Sequence, residues 1–186
     1  MFLLVCVLSA VCAYAVGSIP ASRLSDKFVR NLSPHAGDGV LALMRVLVDI
    51  AKGFLAVTVF SKIAGQEYAQ FGALFAYLGH LYPYCPSCRS GNGIGLLLGA
   101  MVALHPIVGL IALLAWLFTF YVYRYATLAA LVAAVMTPVI SSMIGLGIEV
   151  HVLFIIAVMI FARLRLKLRL LLDGNEHIVV WKMENA

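Results

Sequence analysis

Seven apolar segments decide what this chain can fold into. They run at about 2–19, 41–64, 68–84, 94–104, 107–123, 126–147 and 150–162, and most approach the length that a helix needs to cross a bilayer. Hydrocarbon offers no partner to backbone N–H and C=O groups, so such segments fold as helices that satisfy those groups internally. With 64% hydrophobic and only 11% charged residues among 186, no soluble core would bury so much apolar surface. The expectation is an all-α integral membrane protein with seven transmembrane helices. It forms one membrane domain over 1–186, of which 163–186 is a basic tail.

The first segment contains Ala13, Tyr14 and Ala15, a small-x-small pattern found at signal-peptide cleavage sites. No Lys or Arg precedes Arg23, so the basic region that opens a signal peptide is missing and the segment reads as a span. Arg23, Lys27, Arg30, Arg89, Arg124, Arg163, Arg165, Lys167, Arg169 and Lys182 all follow odd-numbered spans, and Lys62 follows an even one. By the positive-inside rule the N-terminus is outside and the C-terminus cytoplasmic. The net charge of +5 then gathers on one face, where it attracts anionic head groups or anionic substrates. Basic and aromatic residues are not interleaved as in RNA-binding proteins, so nucleic acid is not an expected partner.

Between the third and fourth spans lies GHLYPYCPSCRSGNGIG, residues 79–95. Gly91, Gly93 and Gly95 stand just ahead of a helix expected from Ile94. Backbone N–H groups there would form an anion nest at a positive helix end. A plain glycine-rich turn accounts for the same residues. His80, Cys85 and Cys88 have partial zinc-ligand spacing, but no second Cys pair is near, so interfacial loop cysteines are the simpler reading. On the cytoplasmic side these cysteines are not expected to form a structural disulfide.

The second span holds Arg45, Asp49 and Lys52 at i, i+4 and i+7, one stripe of a helix. Charged groups inside a span normally face the protein interior and pair with one another. One carboxylate against two cations leaves one positive charge over, which suits a phosphate. Alternatively, the two cations snorkel to the interface and Asp49 merely pairs with them. Residues 21–39, including His35, read as a polar loop on the same side as Gly91. Thr137 and Pro138 interrupt the sixth span, where a proline kink is tolerated. In 163–170 leucines alternate with cations, which formally scores as a strand, yet a basic helix at the membrane surface fits the end of a span better.

With these residues set out, the chain resembles the PlsY family, bacterial membrane acyltransferases that move an acyl chain from acyl-phosphate to the 1-position of glycerol 3-phosphate. The resemblance rests on Gly17-Ser18-Ile19-Pro20, on Arg45 closing the first motif, and on Asp49, Lys52 and Gly53 in a DxxKG pattern. Further matches are Gly79-His80-x-Tyr82-Pro83, Gly91 with Gly93, Arg124-Tyr125-x-Thr127-Leu128, and the closing stretch from Arg169 to Glu176. It implies a bacterial inner-membrane enzyme of phospholipid synthesis with its site on the cytoplasmic side. Its substrates would be acyl-phosphate and glycerol 3-phosphate, its surroundings membrane lipids, and it would need neither cofactor nor metal. It also implies catalytic roles for Arg45 and His35, phosphate contacts from Lys52, Arg89, Gly91, Asn92 and Gly93, and support from Asp49, His80 and Glu176.

Several positions depart from the family pattern. His35 stands in place of a serine, Arg89 and Asn92 in place of two lysines, and Leu164 and Lys167 in place of a histidine and an asparagine. Losing one well-placed polar group typically costs a few kcal/mol of transition-state stabilisation. Two readings therefore stand: an acyl-phosphate-dependent acyltransferase, and a non-catalytic relative that binds a lipid phosphate or a partner protein. A small-solute transporter lacks the expected inverted repeat.

Overall fold

A computed structural model describes residues 2–32, 38–84 and 91–172, all in helices, turns and short connections. In chain order come α1 (Phe2–Ser18), α2 (Ala21–Leu32), α3 (Asp38–Ala64), a 3-10 turn (Gln66–Tyr68), α4 (Ala69–Leu81), α5 (Ile94–Leu104), α6 (Pro106–Tyr123), α7 (Ala126–Met143) and α8 (Ile148–Leu172). The seven apolar segments correspond to α1 and α3 through α8. By length and composition, α6 and α7 each suffice to cross a membrane, and α1 with α2 forms a third candidate as a pair bent by 48°. Helices α4 and α5 are shorter, and α3 carries Arg45, Asp49 and Lys52, so neither length nor hydropathy alone marks them as spans.

The expected polar loop over 21–39 is corrected at 21–32, which form α2, and at 38–39, which open α3, while 33–37 lie outside the described residues. The α2 sequence, ASRLSDKFVRNL, is polar on average, which hides a helical period. Ala21, Ser25 and Val29, spaced by four, are buried, while Lys27 and Arg30 face outwards with Leu24 and Phe28. Pro20 has no N–H to continue α1 and favours the first turn of the next helix, and its carbonyl accepts from Leu24 N at 3.2 Å. The alternating Leu and cation stretch is helical, since α8 continues through Arg163 and Arg165 to Leu172.

Helix α5 is the centre. Nine of its eleven residues are buried, and it packs against α3, α4, α6 and α7. Burial against lipid tails gives helices little reason to associate, so close backbone packing must hold them together. Glycine supplies it twice, in reciprocal pairs. A Cβ at Gly53 of α3 would lie 2.0 Å from Leu96 O, and one at Gly99 of α5 would lie 1.9 Å from Ile50 O. Likewise, Gly17 of α1 meets Ala76 O and Gly79 of α4 meets Tyr14 O, at 1.9 and 2.1 Å for the added carbon. In both crossings the two backbones touch. The outward faces of α6, α7 and α8 carry exposed Phe118, Val139, Phe154 and Phe161, as lipid-facing surfaces do.

Pro138 sits inside α7 without ending it. It cannot donate to the Ala134 carbonyl one turn back, which leaves a buried acceptor without its backbone donor. Thr137 Oγ1 donates to that carbonyl at 3.1 Å. The hydroxyl replaces the missing N–H, so Thr137→Val, nearly equal in shape, should lower stability by about 1–2 kcal/mol. Thermal unfolding in detergent checks this, and an unchanged midpoint would show that the carbonyl needs no partner.

Candidate functional site

The charged stripe of α3 is present, but its three members part company. Asp49 and Lys52 are buried, with Lys52 Nζ 2.8 Å from Asp49 Oδ1. Lys52 Nζ also donates to Ile19 O at 2.9 Å. That carbonyl lies at the C-terminal end of α1, where unpaired acceptors and the helix dipole both favour a cation. His80 of α4, fully buried, brings Nδ1 to 3.5 Å from the same Asp49 oxygen and lies nearly parallel to the Tyr77 ring, centroids 6.4 Å apart. Lys52 thus links the Asp49 carboxylate to the end of α1, and His80 of α4 lies beside that carboxylate.

Arg45 turns the other way. Its Nε donates to Asp26 Oδ1 at 3.0 Å and its Nη2 to Asp26 Oδ2 at 2.8 Å, a two-pronged pair between α3 and α2. The surplus positive charge expected from the sequence is therefore cancelled, because α2 brings a second carboxylate that the loop reading left uncounted.

Beyond Asp49 lies the glycine segment. Gly95 packs on α3, where an added Cβ would be 2.9 Å from both Asp49 Cβ and Val46 O, and one at Gly91 would sit 3.9 Å from Asp49 Oδ2. Gly93 caps α5 with φ +78°, the left-handed region, and a Cβ there would lie 2.5 Å from Tyr77 Cε2. Glycine is required there twice over, for backbone angle and for space. The chain leaving α4 is fastened to α1, with Tyr84 N donating to Ser18 Oγ at 3.1 Å and the Tyr14 hydroxyl donating to Tyr82 O.

Arg45, Asp49, Gly91, Asn92 and Gly93 line a cavity of about 300 Å³, closed on other sides by Ala21 and Ser22 of α2 and Trp116 of α6. It opens at the N-terminus of α5, whose unpaired N–H groups favour an anion. Trp116 is also a wall of an apolar groove of about 470 Å³ formed with Leu43, Leu117 and Phe120, with Arg124 at its lining. Of the residues predicted from sequence, the structure gathers Arg45, Gly91, Asn92 and Gly93 at the cavity, with Asp49 beneath them. Lys52 and His80 stand behind Asp49, away from the lining. His35, Arg89, Glu176, Cys85 and Cys88 lie outside the described residues. Among the described residues no group of His, Cys, Asp or Glu has the geometry of a metal site. Sequence reading missed Asp26, Ser22 and Trp116. For Asp26 the usable signal was its place on an amphipathic helix.

Comparison with known proteins gives a consistent result. Residues 29–174 match the profile of the family described as glycerol-3-phosphate acyltransferase. The chain is similar to the glycerol-3-phosphate acyltransferase of Cereibacter sphaeroides, 34% identical over 94% of this chain and 90% of the relative. To that of Dechloromonas aromatica it is 34% identical over 72% and 75%. Its fold is similar to the crystal structure of PlsY, an integral membrane glycerol 3-phosphate acyltransferase, in its glycerol 3-phosphate form. That match has a TM-score of 0.81 and 26% identity over 94% of this chain and 96% of PlsY.

Gly93 and Gly145 share the same φ of +78°, but nothing lies within 4 Å of a Cβ at Gly145. Alanine at 145 pays only backbone strain, about 1 kcal/mol. Alanine at 93 must also displace the buried Tyr77 ring, and should cost at least about 1 kcal/mol more. Unfolding midpoints of the two variants measure the difference, and equal losses would mean that Tyr77 does not confine the loop.

Proposed function

Since the chain belongs to the glycerol-3-phosphate acyltransferase family, we propose that it transfers an acyl chain from an acyl-phosphate to glycerol 3-phosphate, making lysophosphatidate at the cavity beside Arg45. The observation that carries this reading is the convergence of Arg45 with Gly91, Asn92 and Gly93 on one cavity. The acceptor hydroxyl oxygen attacks the acyl carbonyl carbon, the carbon–oxygen bond to phosphate breaks, and the departing phosphate takes the hydroxyl proton. An acyl-phosphate is already activated, so the protein contributes positioning and neutralisation of phosphate charge.

In this proposal Arg45 and the glycine segment hold phosphate, with Arg89 and His35 completing the site from adjoining segments, as the family resemblance implies. Lys52 neutralises Asp49, so that Asp49 and His80 support the loop without repelling the anion, and Glu176 supports the site from beyond α8. The groove between α3 and α6 receives the acyl chain, because it is apolar and shares Trp116 with the cavity. The topology proposed with this chemistry has seven crossings, α1 and α3 through α8, with α2 along the cytoplasmic surface. The N-terminus is then outside and the site faces the cytoplasm of a bacterial inner membrane. Support comes from Lys27 and Arg30 of α2 and from Arg124 and Arg165, all exposed and all on the face assigned to the cytoplasm. The whole chain acts as one membrane domain, whose basic tail begins at Arg163.

One observation favours a second reading. Leu164, where the family pattern has histidine, is buried in the hydrophobic core, so that position offers neither donor nor acceptor. A protein that binds a lipid phosphate without turnover would tolerate this. Purified protein in micelles, supplied with acyl-phosphate and glycerol 3-phosphate, should form lysophosphatidate slowly. Arg45→Ala should reduce the rate at least about a hundredfold, as expected for loss of a charged donor to a transition-state anion. Absence of product with any acyl donor would eliminate the enzymatic reading and leave the binding one.

A further inference from the structure

We infer that Asp26 is a positioning residue for anion recognition: from α2 it grips the Arg45 guanidinium on the side away from the cavity and aims the remaining donors at the substrate phosphate. The inference rests on the reading of Arg45 as a phosphate ligand and extends it to a residue outside the motifs.

The geometry separates holding from blocking. Ala21 and Ser22 line the cavity, whereas Asp26, one turn further along α2, does not. A carboxylate that plugged the cavity would line it. Asp26 takes the Nε hydrogen and one Nη2 hydrogen of Arg45. Guanidinium has five N–H donors in a rigid plane. Three are left, one on Nη2 and two on Nη1, and the end of the fork, with one hydrogen from each, is enough for a second two-pronged contact with a phosphate. With both ends of one edge fixed, the plane of the group is set before the anion arrives, and the side-chain entropy lost on binding falls accordingly.

Two features make Asp26 suited to this. The 48° bend at Pro20 and the buried Ala21, Ser25 and Val29 seat α2 against its neighbours, so the carboxylate has a rigid base. The Arg45 hydrogen bonds, with help from the charges of Arg45 and Arg30 and against the effect of burial, hold its carboxyl below the usual range. It therefore stays ionised near neutral pH. The side chains of Arg45 and Asp26 are 44% and 30% exposed, and an ion pair open to water to that extent adds little to stability. Its effect should appear in binding rather than in folding.

The test is equilibrium binding of radiolabelled glycerol 3-phosphate to the purified full-length chain in detergent, with the unfolding midpoint measured alongside. Asp26→Asn keeps the shape, removes the charge and offers only one acceptor oxygen, so it should weaken binding about tenfold while moving the midpoint by no more than about 2 °C. Asp26→Glu, which keeps the fork, should recover part of the loss. In an Arg45→Ala background Asp26→Asn should have no further effect, since nothing is left to position. Unchanged or tighter binding in Asp26→Asn, or an equal loss in the Arg45→Ala background, would overturn the inference. So would wild-type protein that binds no glycerol 3-phosphate. Turnover is read separately: binding that depends on Asp26 without product would keep this inference and reject the enzymatic reading.

Discussion

Direct backbone contact between α3 and α5 is the constraint on which the site depends. Gly53 and Gly99 let each helix rest on a carbonyl of the other, and Gly95 extends the contact one turn towards the end of α5. The turn ahead of α5 must then emerge beside Asp49 and Arg45. Any side chain at these glycines would force the two backbones apart. In a bilayer the loss is not repaid by hydrophobic collapse, because the lipid is as apolar as the helix faces.

Charge placement follows from that contact. Asp49 sits under the glycine segment, where an unpaired carboxylate would be costly to bury and would repel an anion. Lys52 answers it from the same helix, with the buried His80 ring of α4 alongside, and Lys52 is itself drawn toward the end of α1 by the Ile19 carbonyl. With Lys52 so engaged, Arg45 is the cation of α3 that lines the cavity, and it pairs with Asp26 of α2. The lining therefore carries the Arg45 cation and Asp49, whose carboxylate Lys52 offsets from outside the lining. The charged residues of one helical stripe thus divide between a buried pair within α3 and a partly exposed pair with α2.

Much of this was legible in the chain. The apolar segments mark out α1 and α3 through α8, because hydropathy and length are local properties. The i, i+4, i+7 stripe and the start of a helix at Ile94 could be read from spacing. The small-residue spacing of Gly95 and Gly99, a GxxxG in an apolar helix, also marks a close helix contact. Helix α2 was hidden, because a polar average obscures a four-residue period when the buried positions are Ala, Ser and Val. The double role of Gly93 was half visible: glycine at a helix start suggests left-handed backbone, but nothing in the sequence places Tyr77 against it.

By itself the sequence determined a helical membrane protein, which residues could carry charge inside it, and where a helix starts after a glycine-rich turn. Those follow from how each segment interacts with hydrocarbon and with itself. Only the tertiary structure decided that Lys52 turns to Asp49 and Ile19, that Asp26 reaches Arg45 across 19 positions of chain, and that Trp116 borders both the cavity beside Arg45 and an apolar groove. Partnership between helices depends on which faces are brought together and how closely, and that is set by packing of the whole bundle.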